Sequence, residues 1–267
     1  MELRQRYDAI LDKERIARQR GLTLIVGVLA IAVTSLFMTG FFDAQRFAES
    51  GPAIRQLAYE MFPPDFGRWR SWLHPLLDTF AMSIARTALA IVLSVPLSLL
   101  AAPNTSPHPL VFVAARTLLA FFRSVPEIIL GVLFVAAVGF GALPGVLALA
   151  LHSTGMVAKF YAEAIEHVDP KPLEAARAAG ASPLQVIVHV VLPQALPQLA
   201  DVTIYRWEYH FRASAVLGIV GAGGIGFELI AALRLLAYDQ VTAILLSILA
   251  CVLVVDAIGA RLRKALK

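Results

Sequence analysis

Several ionisable side chains stand inside long apolar stretches of this chain. A charge near the centre of a bilayer costs at least about 2.5 kcal/mol, so such residues usually face protein or a water-filled path. Two kinds of chemistry are open to them: charge pairing, or an electrostatic path that lowers the barrier for an anion. The candidates are Arg86 in one apolar run and Arg206, Glu208, His210 and Arg212 in another.

Helical spacing decides which of the later charges can meet. Glu208 and Arg212 are four residues apart, and on a helix such a pair can form an ion pair. Arg206 and His210 have the same spacing on an adjacent stripe. The sequence therefore predicts a Glu208–Arg212 pair and leaves two roles open for the arginines, a translocation path or structural pairing.

A glycine-rich segment follows, Gly221-Ala-Gly-Gly-Ile-Gly226. The pattern G-x-G-x-x-G indicates dinucleotide binding only after a strand and with an acidic residue at the end of a second strand about twenty positions on. No strand precedes it here, and no acidic residue stands at such a strand end. We expect these glycines to permit a sharp turn and a close approach of helices, with the lining of a solute path as the alternative. The residues concerned are Gly221, Gly223, Gly224 and Gly226.

The remaining polar residues do not predict catalysis. His152 is expected to be a hydrogen-bonded packing residue, with a place in the path as the alternative. Glu163, Glu166 and His167 flank the end of an apolar run, and no other His or Cys joins them as in a metal site. We find no nucleophile–base set and no phosphate-binding loop, so we expect no cofactor, no metal and no ATP hydrolysis by this chain.

The composition indicates an all-α polytopic membrane protein. Apolar residues make up 58% of the 267 residues and charged ones 16%, against about 45–50% and 25% in soluble domains. The net charge of +4 comes largely from basic ends, which favours cytoplasmic termini and not a nucleic-acid partner.

Apolar runs and breakers predict about six transmembrane helices. The two halves of run 128–158 are read as separate spans joined at 139–145, and 110–122 as an interfacial helix. The predicted order is a cytoplasmic tail (1–20), a first span (21–42), a periplasmic loop (43–74) with a short helix at 52–61, and a transport domain (75–267). Within the transport domain, spans are expected at 75–102, 128–158, 201–220 and 241–258. A polar cytoplasmic segment is expected at 159–199 and an external region at 221–238.

The polar segment carries its own helix signals over residues 169–197. Asp169 and Pro170 can begin a first helix, which Gly180 can end in the left-handed conformation. Ser182 and Gln185 then form the pattern of a capping box for a second helix, expected to run to Leu192-Pro193. The sequence thus predicts a rigid, bent cytoplasmic element, referred to below as the docking segment.

The docking segment resembles the EAA loop by which permease subunits of ABC importers contact their ATPase. The resemblance assigns the coupling helix and its surroundings to Glu174, Ala175, Ala176, Gly180, Ala181, Ser182, Leu192 and Pro193. With the blocks at 123–127, 148–152, 161–166, 205–206 and 216–228, the resemblance is closest to the phosphonate-type permeases, which have a type I importer architecture.

This resemblance implies a multi-pass subunit of the bacterial inner membrane that carries phosphonate, phosphite or a related phosphorus oxyanion by alternating access. The implied partners are a second copy of the chain, membrane lipid, two ATPase subunits that bind ATP and Mg, and a periplasmic or lipid-anchored solute-binding protein. Import of another small solute such as methionine or taurine is the alternative within the class. An autonomous channel or secondary transporter is the alternative outside it.

Overall fold

Helices account for every regular element in the part of the chain that the structure describes. A computed structural model describes residues 2–266, and within them the side chains of 13–45, 48–218 and 220–266. The chain divides between Tyr59 and Glu60 into two units.

The first unit holds α1 (Glu2–Met38) and all but the last residue of α2 (Ala44–Glu60). The predicted tail and first span form one continuous helix, whose stretch from Lys13 to Met38 is long and apolar enough to cross a membrane. α1 ends at Met38, short of the expected 42. The expected start of a short helix at Pro52 is wrong, because α2 begins at Ala44 and contains the proline.

The second unit carries the transport domain. Its helices are α3 (Trp69–Ala101), α4 (Pro109–Ser124), α5 (Glu127–Val138), α6 (Ala142–Glu166), α7 (Pro170–Ala178), α8 (Pro183–Val186), a π turn (Ile187–Val191), α9 (Leu192–Leu217), a 3-10 turn (Gly218–Val220), α10 (Ile225–Arg234) and α11 (Tyr238–Ala265).

Five stretches of the described chain are long and apolar enough to span a membrane, and α4 with α5 makes a sixth only as a bent pair. The two helices meet at 84°. α5 alone has 12 residues, a length of about 18 Å, whereas the hydrocarbon core is about 30 Å thick. The predicted six-helix fold therefore holds with one broken span, which we call the α4–α5 elbow.

α6 lies at the centre of the second unit and packs against α3, α4, α5 and α9. Small residues on its buried face allow this close packing, as is common in membrane helices. At Gly155 a Cβ would lie 2.8 Å from the Leu119 carbonyl oxygen, so the backbones of α4 and α6 approach each other directly.

The second helix of the docking segment does not end at Leu192-Pro193, as the sequence suggested. It continues through the π turn into α9, giving a candidate span from Pro183 to Leu217. A proline inside a helix lacks one N–H and its ring clashes with the carbonyl four residues earlier. The π turn just before it, in which the Leu192 N–H bonds the Ile187 carbonyl, widens the helix at that point.

The predicted external region 221–238 contains the helix α10. Its apolar side packs with α3 and α11 in a cluster that includes Trp72, Ile225 and Ile244. The helix was not predicted from the sequence, because the glycines before it indicated a turn.

Candidate functional site

The docking segment has the caps that the sequence predicts. The Asp169 side chain accepts a hydrogen bond from the Lys171 N–H, 3.0 Å away, and Pro170 follows at the first position of α7. At the other end Gly180 has φ +83°, and the Gly180 and Ala181 N–H groups bond the carbonyls of Arg177 and Ala176, each at 3.0 Å. This pair of backbone hydrogen bonds is a Schellman C-cap, which fixes the chain direction after α7.

The next helix begins with a capping box. The Ser182 hydroxyl accepts from the Gln185 N–H and the Gln185 side chain accepts from the Ser182 N–H, at 3.4 and 2.8 Å. Both ends of the turn between α7 and α8 are therefore held by local bonds, as a rigid element requires.

Buried side chains fasten the docking segment to the bundle. Leu173 of α7, Val186 of α8 and Val191 of the π turn belong to one apolar cluster. Arg177 Nη2 also donates to the Asn104 carbonyl at 3.3 Å, which connects α7 to the turn between α3 and α4. These contacts connect α7 to the turn after α3 and to an apolar cluster that α3, α6 and α9 share.

The outer side of the docking segment is open. The exposed residues are Glu174, Ala175, Gly180, Ser182 and Pro193, and the half-buried ones are Ala176, Ala181 and Leu192. Added atoms at Gly180 would meet nothing within 4 Å. All eight predicted coupling residues lie on this segment, and those that are exposed are small or polar.

The charges of α9 divide between two faces. On the face toward α11, Glu208 Oε1 lies 2.7 Å from Arg263 Nη1, and Arg212 Nη1 lies 2.9 Å from Asp256 Oδ1. The predicted Glu208–Arg212 pair is therefore wrong. Both residues have partners on a neighbouring helix that the four-residue spacing could not reveal.

A glycine on α11 makes room for the buried carboxylate of Glu208. A Cβ at Gly259 would lie 1.9 Å from Glu208 Oε1. Glu208 and Arg212, both candidates for the path, therefore join α9 to α11.

The opposite face of α9 carries a chain of hydrogen bonds centred on the buried His210. The Thr87 hydroxyl donates to the Ser83 carbonyl at 2.7 Å, so it must accept from His210 Nδ1, 2.6 Å away. His210 Nε2 is then free to accept from the Ser153 hydroxyl, whose oxygen accepts from Arg206 Nη2 at 2.9 Å. A neutral imidazole with its proton on Nδ1 satisfies every bond in this chain.

Arg86, buried in α3, lies beside the same imidazole. Its Nε donates to the Met82 carbonyl at 3.0 Å, and its Nη1 donates to the His210 carbonyl at 3.4 Å. Arg86 thus links α3 to α9, and the structure places it with Arg206 and His210 in one cluster.

Glu127 and His152 connect the α4–α5 elbow to this cluster. His152 Nδ1 lies 3.0 Å from the carbonyl of Val125, before the break, and its Nε2 lies 3.3 Å from the carboxylate of Glu127, after the break. The Tyr209 hydroxyl donates to Glu127 at 2.8 Å, and the Arg206 guanidinium lies 4.4 Å from the centre of the Tyr209 ring. His152 is hydrogen-bonded, as expected, and bridges both sides of the elbow.

Sequence reasoning missed Glu127, Tyr209, Ser153 and Thr87 as members of this cluster. Pro126-Glu127 at the start of an apolar run was the available signal, since a carboxylate there suits a helix N-terminus. Nothing in the sequence indicated the hydroxyls, because serine and threonine are common in membrane helices.

The glycines 221–226 form the expected turn and close contact. Gly221, Gly223 and Gly224 have φ of 86°, 77° and 73°, which favour glycine. A Cβ at Gly226 would lie 2.0 Å from the Ala215 carbonyl oxygen, so α10 packs directly on the α9 backbone. The Thr79 hydroxyl accepts from the Ile225 N–H at 2.9 Å and holds the start of α10 against α3.

Comparison with known proteins identifies the class to which this arrangement belongs. The family described as the inner membrane component of binding-protein-dependent transport systems matches residues 94–267. The chain belongs to this family. It is a permease component of an ABC importer located in the inner membrane, and such a component works with an ATPase and a binding protein.

Individual relatives carry related names. The chain is 60% identical, over 94% of its length and 90% of the relative's, to the phosphite transport system permease protein PtxC of Stutzerimonas stutzeri. It is 44% identical to the phosphate-import permease protein PhnE of Mycolicibacterium smegmatis over 71% of this chain and 36% of that protein. The fold matches an inward-facing structure of the MetNI methionine ABC transporter with a TM-score of 0.67, 22% identity, and coverage of 76% of this chain and 99% of that chain.

Proposed function

We propose that this chain is the permease subunit of an ATP-driven importer for phosphite or a closely related phosphorus oxyanion. The observation that carries the proposal is the 60% identity to a phosphite transport permease over 94% of the chain. A methionine permease of Vibrio cholerae is 34% identical over only 39% of the chain, which favours the phosphorus solute over the amino acid. The membership in an importer family does not favour an autonomous channel or secondary transporter.

The docking segment is the proposed contact with the ATPase. Its capped turn and its buried anchors make it a rigid lever, and its exposed side offers Glu174, Ala175 and Gly180 to a partner. ATP and Mg bind to that partner, and this chain carries no ATPase site of its own. Closure of the ATPases on nucleotide would then move α7 and, through it, the helices that α7 contacts.

The assembly is proposed to contain two copies of this chain, two ATPase subunits and a solute-binding protein on the opposite side of the membrane. Both termini and the docking segment lie on the cytoplasmic side in this proposal. The basic residues at the C-terminal end of α11, among them Arg263 and Lys264, support it through the positive-inside rule.

The buried polar cluster and the glycine turn are the proposed inner parts of the path. Arg86, Arg206, His210 and His152 lie together there. Gly221 to Gly226 shape the packing of α10 on α9. Glu208 and Arg212 hold α11 in place and are assigned to the scaffold of the path.

Charge reversal at the docking segment tests the coupling role. Glu174→Arg is expected to abolish co-purification of the ATPase and phosphite uptake, because it replaces an exposed acid on the proposed contact surface. Glu14→Arg makes the same change on exposed α1 and is expected to leave both intact. Retention of the ATPase and of full uptake by the Glu174 variant would remove α7 from the interface.

A further inference from the structure

The polar cluster between α3, α6 and α9 holds more positive than negative charge. Its guanidinium groups are those of Arg86 and Arg206, and its carboxylate is that of Glu127. Among these three groups, two cations against one anion leave one positive charge. The ion pairs of Glu208 and Arg212 do not change this balance, because each is closed by a residue of α11.

Neither guanidinium of the cluster has a carboxylate partner. Among the described side chains, no acid lies within 4.0 Å of Arg86 or Arg206. Arg86 is 1% exposed and bonds carbonyl groups, while Arg206 is 4% exposed and bonds the Ser153 hydroxyl. Burying an uncompensated ion costs several kcal/mol, so this arrangement calls for a counter-ion.

Arg206 also has an unused donor. Its Nε is buried and has no hydrogen-bond partner. Its Nη2 donates a hydrogen bond to the Ser153 hydroxyl, which is hydrogen-bonded in turn to His210, and the face of the guanidinium lies against the ring of Tyr209. The guanidinium is therefore fixed in orientation with an N–H left over, and a guanidinium matches the geometry of an oxyanion.

We propose that Arg206 is the centre of an intramembrane binding site for a small tetrahedral oxyanion. Arg86, on α3, adds a second positive charge to this site. The choice of phosphite as the probe rests on the proposed function. The more accessible side of the cluster is that of α5, where Tyr205 is exposed and Tyr209 and Glu127 are half-buried. This site would be separate from the binding protein's own site.

Glu127 sets the strength of this site. Its carboxylate accepts a hydrogen bond from the hydroxyl of Tyr209, whose ring lies against Arg206, so it is near enough to repel an arriving anion without pairing with Arg206. An anion is therefore held weakly and released readily, as a transport path requires. Neutralising Glu127 should make the site tighter, and removing the Arg206 charge should weaken it.

Phosphite binding is measured calorimetrically on the permease–ATPase complex in lipid nanodiscs, without the binding protein. We expect saturable phosphite binding, and chloride should not compete for it. Arg206→Gln should lower the affinity about tenfold, the value of one charge-assisted hydrogen bond. Arg212→Gln is the matched control, because it makes the same change on the same helix at a residue already paired with Asp256.

Glu127→Gln gives a reading that does not depend on the Arg206 variant assembling. It is expected to raise phosphite affinity at least about threefold, a modest share of one charge interaction. Unchanged affinity in both Glu127→Gln and an assembled Arg206→Gln overturns the site, as does absence of saturable binding to the wild-type complex that imports phosphite. Binding that depends on Arg206 in a complete assembly that does not import phosphite would uphold the site and overturn the proposed function.

Discussion

Two ion pairs join α9 to α11, and their different burial makes a sharp prediction. Arg263→Gln removes the partner of Glu208, and Arg212→Gln removes the partner of Asp256. Both substitutions delete one cation from the same helix pair. We expect the first to destabilise the permease much more than the second.

The expected magnitudes follow from the exposure of the two acids. The Glu208 side chain is 7% exposed and that of Arg263 28%, whereas those of Arg212 and Asp256 are 42% and 43% exposed. Leaving a buried carboxylate without its partner costs about 3–5 kcal/mol, and the partial exposure of Arg263 favours the lower end, about 3 kcal/mol. An exposed pair contributes about 0.2–1 kcal/mol.

The measurement is the free energy of unfolding in mixed detergent–SDS micelles, followed by tryptophan fluorescence. A double-mutant cycle with Glu208→Gln isolates the pair, because the Gln side chain keeps the packing against Gly259 and removes the charge. Arg263→Gln should cost far less in the Glu208→Gln background than in the wild type. Equal losses for Arg263→Gln and Arg212→Gln would refute the assignment of Glu208 as a buried, α11-paired carboxylate.

Three further substitutions test other parts of the structure. Ser182→Ala removes a capping box worth about 1 kcal/mol and should slow phosphite uptake while the ATPase still co-purifies; normal uptake would show that the cap is dispensable. Gly226→Ala places a methyl 2.0 Å from a carbonyl oxygen of α9, so we expect no folded permease to be recovered when the variant is purified by size-exclusion chromatography. Gly27→Ala is the control, because the added methyl meets no atom within 4 Å, and folded permease should be recovered. His152→Phe removes both bonds across the α4–α5 elbow and should destabilise the permease by about 1–3 kcal/mol and reduce initial uptake rates; wild-type stability would exclude a bridging role.

Local signals in the sequence predicted the docking segment well. The N-cap at Asp169, the left-handed Gly180 and the Ser182–Gln185 capping box each depend on neighbouring residues alone, and the structure has all three. The end of the second helix at Pro193 was wrong, because the π turn that admits the proline leaves no mark in the composition.

Long-range partners could not be predicted in the same way. Spacing along α9 offered Arg212 to Glu208, but the actual partner is Arg263 on α11, and the space for the carboxylate comes from Gly259. The α4–α5 elbow was missed for a related reason. An apolar run shows how much membrane-compatible chain is present but not the 84° bend, which His152 bridges from a different helix, α6.

The membership of the buried cluster was predicted in part. Arg86, Arg206 and His210 were conspicuous as polar residues in apolar runs, and the structure brings them together. Ser153 was not conspicuous, although its hydroxyl connects the imidazole to the guanidinium. Small hydroxyl residues carry little signal until the packing of the helices is known.

The central claim is that this chain is the permease of a phosphorus-oxyanion importer, and ATP hydrolysis in reconstituted liposomes tests it most directly. The permease is assembled with its ATPase and its solute-binding protein, and phosphite, phosphonate, sulfate and methionine are added in turn. We expect phosphite or a phosphonate to stimulate hydrolysis and to accumulate inside the liposomes. Stimulation by methionine or sulfate, without any by the phosphorus compounds, would contradict it.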